Sequence, residues 1–385
     1  MLTTTPITSD LVRGALELEP TEHGLRPHRF PAWARAQGDG QLAMAEAQPS
    51  GVRLVFRTRA TVIELDTIRT TVTYVGLPGR PDGIYDLVVD GRLVQQATGA
   101  GGHVLEIDMA TGDSDYRLGS VGTVRFEGLP EATKDVEIWL PWSEATELVE
   151  LRADAPAEPL PDNGRRVWLH HGSSISHGSN ASSPTAIWPV VAAVGGGVKL
   201  VNLGVGGSAL VDPFAARVIR DTPADLISVK LGINVVNHDA MRLRVFGPAV
   251  HGFLDTIREG HPETPLLVVS PICCPIHEDA PGPSVPSFDE NGIRFAAGGD
   301  PAEVRAGKLS LSVIRAELAR IIETRAKDDP NLYYLDGLEL YGPDDYAETP
   351  LPDELHPGPE TQRLIGRRFA ARAFGAAGPF SIYSP

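Results

Sequence analysis

The sequence predicts an α/β protein with two domains. An all-β, jelly-roll-like sandwich is expected over residues 1–155, and a three-layer α/β/α domain with a parallel sheet is expected over residues 165–385. The chain of 385 residues is longer than one core usually serves. Its first part alternates short strand patterns with turn clusters, whereas its second part alternates apolar strands with helical patterns. A proline-rich stretch at 153–164 separates the two and is typical of a linker.

The strand patterns of the predicted sandwich lie within residues 51–152. Short runs rich in β-branched residues alternate polar and apolar positions, as half-buried strands do. These runs begin at Val52, Thr61, Thr70, Tyr85, Val104, Thr123, Val136 and Leu148. Turn clusters such as Asp90-Gly91 separate them. Prolines interrupt residues 1–50, which we therefore expect to be irregular and to wrap a surface.

The second part of the chain has the pattern of a parallel sheet with both faces covered, because apolar strands alternate with helices. Strands are predicted at 167–170, 199–203, 226–230, 266–270 and 333–335. Helices are predicted around 185–194, 213–221, 241–259, 302–327 and 360–374. In such a sheet, the loops at the carboxyl ends of the strands build the functional site.

Charge and composition exclude several classes of partner. Fifty acidic and 34 basic residues give a formal net charge of −16, which opposes binding to nucleic acid or to an anionic membrane. No run of 18 apolar residues occurs, and no cationic segment precedes an apolar run at the start of the chain, so a cytoplasmic location is expected. Adjacent Cys273 and Cys274 would close almost no loop, which predicts buried thiols. Nothing in the sequence decides between a monomer and a homo-oligomer.

Polar loops follow the first three predicted strands of the parallel sheet. Residues 172–178 have the sequence Gly-Ser-Ser-Ile-Ser-His-Gly, residues 204–208 have Gly-Val-Gly-Gly-Ser, and residues 232–234 have Gly-Ile-Asn. Near the C-terminus, residues 353–357 have Asp-Glu-Leu-His-Pro. Because the carboxyl ends of parallel strands meet at one edge, we expect these loops to come together.

These loops contain every part that a serine nucleophile needs. A serine hydroxyl requires a base, a group that orients the base, and donors for the oxyanion. Ser174 is the predicted nucleophile, with His356 as base and Asp353 as its orienting carboxylate, because Asp-x-x-His lets a turn fold the carboxylate onto one imidazole nitrogen. The N–H groups of Ser174 and Gly207 and the amide of Asn234 are the predicted oxyanion donors.

In this order, the loops resemble the sequence blocks of the SGNH or GDSL hydrolase superfamily over about residues 165–375. The resemblance implies the same five roles and a serine esterase that works through an acyl-enzyme. A β-sandwich before the hydrolase domain is similar to the two-domain carbohydrate acetyl esterases. That similarity implies a short acyl group such as acetate, on a sugar or another small natural product. Ser173 and Val235 stand where the family usually has aspartate, and neither belongs to the triad.

Other functions stay open on the sequence alone. An acyltransferase would use the same triad with an alcohol in place of water. A non-catalytic carbohydrate-binding protein would bind sugar through the sandwich and leave the second domain inert. The run Gly204-x-Gly206-x-x-Ala209 after a strand matches the dinucleotide fingerprint, although no acidic residue ends the next strand to hold a ribose.

No metal and no cofactor is predicted. His170 and His171 are consecutive in a strand and must point to opposite faces. The run His277-Glu278-Asp279 lies in a proline-rich stretch and is expected to be a solvated acidic patch. Residues 275–299 follow the fourth strand, so we expect a long loop at the edge of the site that could act as a lid.

Overall fold

The chain forms two compact units in the computed structural model, which describes residues 2–77, 79, 81–108, 111–161, 163–289 and 292–381. The first unit consists of Met1–Ala32, Glu46–Gly164 and Ser183–Thr185, and the second of Trp33–Ala45, Arg165–Ser182 and Ala186–Pro385. Residues 33–45 thus group with the second unit, although they lie inside the range predicted for the N-terminal domain. The predicted domain ranges themselves stay a prediction.

The first unit is built from β-strands. They are β1 (Thr3–Thr5), β2 (Val12–Arg13), β3 (Glu17–Pro20), β4 (Leu25–His28), β5 (Arg53–Thr58), β6 (Val62–Tyr74), β7 (Ile84–Val89), β8 (Arg92–Thr98), β9 (His103–Ile107), β10 (Ser114–Arg117), β11 (Gly122–Glu127), β12 (Lys134–Trp139), β13 (Ala145–Ala153) and β14 (Glu158–Pro159). Among the described residues, one sheet contains β1, β3, β4, β6, β9, β10, β11 and β13. The other contains β2, β5, β7, β8, β12 and β14.

The core of the first unit lies between these two sheets. Along β11 every second residue is buried, including Val124 and Phe126, because side chains alternate across a strand. The buried cluster draws Leu65 and Phe126 from one sheet and Phe56 and Ile138 from the other. Burying a side chain of this size contributes roughly 1.5–3 kcal/mol. This arrangement confirms the predicted all-β region.

The first 50 residues are more regular than the sequence predicts. They contain β1 to β4 and two short helices, α1 (Ala32–Arg35) and α2 (Gly40–Ala47). The expectation of an irregular segment was wrong because proline breaks helices but is tolerated at the ends and edges of strands. Pro20, for example, ends β3. Within the stretch predicted to be a linker, Glu158–Pro159 form β14 and pair with β5.

The second unit contains a parallel sheet with helices between its strands. Its strands are β15 (Val167–Gly172), β16 (Lys199–Gly204), β17 (Leu226–Lys230), β18 (Leu266–Val269), β19 (Ser284–Asp289), β20 (Gly292–Ala297) and β21 (Leu332–Leu335). The sheet order over the described residues is β16-β15-β17-β18-β21, and β19 and β20 form a separate hairpin. The helices are α3 (Ser174–His177), α4 (Trp188–Gly196), α5 (Pro213–Asp221), α6 (Ile233–Asn237), α7 (Leu243–Gly260), α8 (Leu311–Arg325), α9 (Pro343–Glu348) and α10 (Pro359–Phe369). Short 3₁₀ turns include Pro275–His277 and Pro301–Ala306, and one π-helical turn follows α10 at Ala370–Phe374.

Helices cover both faces of the parallel sheet, as β15 shows. On one face, the Trp168 ring lies 5.0 Å from the ring of Phe369 in α10 and 6.2 Å from that of Trp188 in α4. On the other face, His171 stacks on Phe253 of α7 at 6.0 Å. The predicted α/β class with a parallel sheet is thereby confirmed. Within the described part of the chain, no helix combines the length and apolarity needed to cross a membrane.

The predicted long loop at 275–299 is more ordered than expected. It contains a 3₁₀ turn and the hairpin of β19 and β20. The prediction of a solvated acidic patch at 277–279 was wrong for its first two residues. His277 is buried and hydrogen-bonded to Ser284, and Glu278 forms an ion pair with Arg315. A role for this stretch as a lid stays a prediction.

The two cysteines are buried free thiols, as predicted. Burial raises the pKa of Cys273 to about 11 and also raises the pKa of Cys274. The Cys274 thiol donates to the backbone oxygen of Glu354 over 3.4 Å.

Candidate active site

Ser174 lies where β15 turns into α3. Ser173 precedes this short helix and caps it, with its Oγ accepting from the Ile175 N–H over 3.4 Å. Gly178 ends the helix in the left-handed region at φ 119°, which favours glycine. As the first helical residue, Ser174 has an N–H without a partner in the helix. The nucleophile candidate is buried, with 8% of its surface exposed.

Ser174, His356 and Asp353 form one hydrogen-bonded chain. His356 Nε2 lies 2.9 Å from Ser174 Oγ, and His356 Nδ1 lies 2.8 Å from Asp353 Oδ2. The backbone N–H groups of Leu355 and His356 donate to Asp353 Oδ1 over 3.0 and 2.6 Å. The carboxylate therefore holds both the loop and the ring, and leaves Nε2 to face the serine.

The environment of Asp353 keeps its carboxylate ionised. Burial raises the pKa of Asp353, but the hydrogen bond and charge of His356 and the two backbone donors lower that pKa by more. Asn180 Nδ2 also donates to Asp353 Oδ2 over 3.2 Å. The net pKa lies below the ordinary value, so at neutral pH the carboxylate accepts the Nδ1 proton and fixes the tautomer.

The turn between Asp353 and His356 is held on its outer side. Glu354 takes a left-handed conformation at φ 69°, which is uncommon for a residue other than glycine. Its carboxylate accepts from the Tyr346 hydroxyl over 2.7 Å and from Arg294 Nη1 over 3.3 Å. These bonds help to keep the turn in the shape that brings His356 to Ser174.

The second polar loop lies beside Ser174. A Cβ placed on Gly206 would be 3.9 Å from Ser174 Cβ. The Gly206 N–H donates to His177 Nδ1 over 3.3 Å. Gln41 Nε2 donates to the Gly206 carbonyl oxygen over 3.0 Å. Because that carbonyl and the Gly207 N–H are opposite ends of one planar trans peptide, fixing the first orients the second.

The third polar loop is fixed to the second. Gly232 precedes α6 as its N-cap, at φ 120°, and the Oδ1 of Asn234 accepts from the Ala209 N–H over 3.1 Å. This bond leaves the amide nitrogen for another acceptor. None of the described residues accepts a hydrogen bond from Asn234 Nδ2 or from the backbone N–H of Ser174 or Gly207. The role of these three groups as oxyanion donors stays a prediction.

A second serine and histidine pair lies beneath the same loop. His170 Nε2 is 2.8 Å from Ser176 Oγ, and His170 Nδ1 is 2.7 Å from Ser228 Oγ. Both members of the pair are fully buried, and burial lowers the pKa of His170 well below its usual value. Since a hydroxyl rather than a carboxylate orients this ring, the pair supports the loop and lacks the arrangement of a nucleophile with its base.

The structure does not support the alternative of a dinucleotide site. The fingerprint requires a helix that opens at its glycines, so that the helix N-terminus meets the pyrophosphate. After β16 the chain instead forms a loop over residues 205–212, and α5 begins only at Pro213. Across the described residues, no cluster of three or more His, Cys, Asp or Glu side chains is arranged to hold a metal ion.

Sequence reasoning missed the side chains that hold these loops. Gln41, Asn180 and His238 contact the candidate site from distant segments, the last by donating from Nε2 to the Gly207 carbonyl over 2.9 Å. Phe295 of β20 was also missed. Its ring meets the ring of His356 edge-on, with centroids 5.7 Å apart and planes at 76°, and its N–H donates to the Asp353 carbonyl over 3.0 Å. No local signal marks any of these four residues.

Comparison with known proteins gives the family. The family model for the GDSL-like lipase/acylhydrolase family matches residues 171–364, half of the chain. The chain belongs to this family. The predicted resemblance to the SGNH or GDSL hydrolases is therefore confirmed. A search of curated proteins found no match.

Solved structures similar to this GDSL-family chain extend over both of its units. The salicylyl-acyltransferase SsfX3 from a tetracycline biosynthetic pathway is 28% identical, with a TM-score of 0.76 over 96% of this chain and 95% of that chain. A putative GDSL-like lipase from Bacteroides ovatus is 18% identical, with a TM-score of 0.68 over 96% of each chain. A family two carbohydrate esterase from Clostridium thermocellum is 13% identical, with a TM-score of 0.55 over 84% of this chain and 91% of that chain. At 18% and 13% identity, the last two show that this chain has the same fold as they have. This member of the GDSL family is an acyl hydrolase or acyltransferase.

Proposed function

We propose that the protein is a serine esterase that hydrolyses esters of short acyl groups, such as acetate, on a carbohydrate or another small natural product. The observation that carries this proposal is the chain of hydrogen bonds from Asp353 through His356 to Ser174, at 2.8 and 2.9 Å. Membership of the GDSL-like lipase/acylhydrolase family supports acyl transfer to a serine. The acetyl preference rests on analogy with esterases of the same fold.

The mechanism follows from the positions of these three side chains. Ser174 Oγ attacks the ester carbonyl carbon as His356 Nε2 takes the hydroxyl proton, and Asp353 stabilises the imidazolium. The oxyanion accepts hydrogen bonds from the Ser174 and Gly207 N–H groups and from the Asn234 amide. His356 then gives its proton to the leaving alcohol, which leaves an acyl-enzyme. A water molecule, deprotonated by His356, then attacks the acyl-enzyme in the same way and releases the acid and free Ser174.

An acyltransferase is the second candidate. The observation in its favour is the 28% identity to a salicylyl-acyltransferase over 96% of this chain. The two functions share the acyl-enzyme and differ in whether water or an alcohol resolves it. Adding an alcohol acceptor and separating the products would distinguish them, because a transferase yields mostly new ester whereas an esterase yields mostly free acid.

The test compares wild type, Ser174→Ala and the control Ser179→Ala with p-nitrophenyl acetate, butyrate and octanoate. Loss of the nucleophile should reduce kcat by roughly 10³-fold or more, whereas Ser179→Ala should keep most activity. Far-ultraviolet circular dichroism checks that each variant is folded. Equal rates for Ser174→Ala and wild type, or no turnover by wild type, would overturn the proposal. A preference for octanoate over acetate would contradict its short-chain part.

A further inference from the structure

The hairpin of β19 and β20 is attached to the loop that carries the candidate base. The Phe295 N–H donates to the Asp353 carbonyl over 3.0 Å, and the Phe295 ring packs edge-on against His356. Arg294 pairs with Glu354 in the same loop over 3.3 Å. The hairpin therefore contacts the imidazole ring of His356 directly.

One face of this hairpin is apolar. The register pairs Phe288 with Ile293 and Pro286 with Phe295, and directly opposed residues of an antiparallel pair share a face. Residues alternate along each strand, so all four lie on the face that contacts His356. Ile293 lies about 7 Å beyond Phe295 along β20, two residues at the strand rise.

In the described part of the chain, the outer part of this face is partly exposed. Phe288 is 42% exposed and Ile293 is 38% exposed, and because they are paired on one face they form a small apolar patch beside the site. Ligand sites of small molecules are lined mainly by such apolar side chains. Continuity with Phe295 makes the surface an extension of the candidate active site.

The position of His356 decides which part of the ester meets this surface. In acyl transfer from an ester, the base that takes the serine proton returns it to the oxygen of the leaving alcohol. That oxygen must come within hydrogen-bond reach of His356 Nε2. The alcohol therefore leaves on the side of the imidazole, and a surface that starts at the imidazole lies beside the alcohol rather than beside the acyl chain.

We propose that the apolar face of Pro286, Phe288, Ile293 and Phe295 binds the alcohol part of the ester and selects alcohols that present an apolar ring. The proposal rests on the proposed function and adds the class of alcohol. In an acyl transfer to an alcohol, the acceptor would occupy the same surface, because it reacts by the reverse of the step that releases the first alcohol.

Two acetate esters test the proposal, because benzyl and ethyl acetate differ only in the alcohol. The ratio of their kcat/KM values isolates the acylation step, since both form the same acetyl-enzyme. Phe288→Ala and Ile293→Ala remove exposed side chains that are not members of the triad, and together they should lower the benzyl-to-ethyl ratio about 10-fold or more. Val285→Ala is the matched control, because Val285 is 47% exposed on the opposite face, and its ratio should equal that of wild type.

Three results would overturn the proposal. They are an unchanged ratio in the Phe288 and Ile293 variants, an equal loss in the control, and a change in the acetate-to-butyrate preference in place of the alcohol preference. A binding measurement, which needs no catalytic turnover, tests the alcohol surface independently of the proposed esterase activity. Binding of benzyl alcohol to Ser174→Ala, followed by saturation-transfer NMR, should weaken when Phe288 is replaced by alanine. Equal binding with and without Phe288 would refute the alcohol surface even if the protein proved inactive as an esterase.

Discussion

Removing the Gln41 side chain should slow the reaction although Gln41 lies outside the triad. Its Nε2 donates to the Gly206 carbonyl over 3.0 Å, and the same peptide carries the Gly207 N–H at its other end. Without this bond, the peptide can rotate away from the orientation in which Gly207 donates to an oxyanion. The variants that test this are Gln41→Ala and Gln41→Glu, the second of which keeps the length of the side chain but replaces the donor with a charged acceptor.

The size of the effect follows from one neutral hydrogen bond. Such a bond contributes about 0.5–1.5 kcal/mol net, which corresponds to about 2- to 12-fold in rate at 1.36 kcal/mol per tenfold. Complete loss of one oxyanion donor would cost on the order of 100-fold or more, so this value is the upper limit. We expect Gln41→Ala to reduce the rate by an amount within the range of about 2- to 12-fold. Gln41→Glu should be worse, because its carboxylate faces the Gly206 carbonyl oxygen.

Steady-state kinetics with p-nitrophenyl acetate would measure both variants against the control Gln37→Ala. Gln37 is also exposed, but its Oε1 accepts from Arg217 over 2.6 Å and its Nε2 donates to the Trp33 carbonyl over 3.2 Å, so its hydrogen bonds do not involve the glycine loop. The loss should appear in kcat and kcat/KM with KM nearly unchanged, because the oxyanion forms only during the reaction. A rise in KM alone, or the same rates for the Gln41 and Gln37 variants, would refute the reasoning.

Three further substitutions give predictions of known direction. Asn234→Ala should reduce kcat about 100-fold or more with p-nitrophenyl acetate, as for the loss of one oxyanion donor; unchanged turnover would remove Asn234 from the site. Asp353→Asn should lower kcat about 10⁴-fold, because it favours the wrong tautomer of His356. Folding lowers the pKa of Asp353, so its contribution to stability is fully present above the unfolded pKa of about 3.9 and is lost as pH falls through the folded value. The asparagine variant should therefore show a flatter dependence of Tm on pH at the acid end, and parallel curves would contradict this. Trp168 is fully buried, so Trp168→Ala should lower the free energy of unfolding by about 3–5 kcal/mol, measured by urea denaturation, and a loss below 1 kcal/mol would contradict its place in the core.

The parallel sheet could be predicted well because its strands are short apolar runs with polar loops at their ends. The predicted strand at 226–230 matches β17, and the predicted helix at 213–221 matches α5. Pro213 at the first helical position of α5 marks its start. The hairpin at 284–297 was not predicted, because prolines and glycines surround it. Its two strands pair with each other and do not belong to the parallel sheet.

The candidate triad could be proposed from the sequence because two of its predicted members are three residues apart. Asp353 and His356 are close enough in sequence to interact within one turn, and their side chains lie 2.8 Å apart. Gln41 and Asn180 were not accessible, because their partners lie 165 and 173 residues away along the chain. Glutamine and asparagine are ordinary surface residues, and only the packing of remote segments gives them a role at the site.

The two buried cysteines make the protein suitable for site-specific labelling. An exposed thiolate is the nucleophile that attacks thiol-reactive reagents, whereas both native thiols are buried with a raised pKa. A Ser287→Cys substitution would place the one reactive thiol on the exposed, outward face of the hairpin. A fluorophore attached there would report whether the hairpin moves when an ester binds, without any change to the native cysteines.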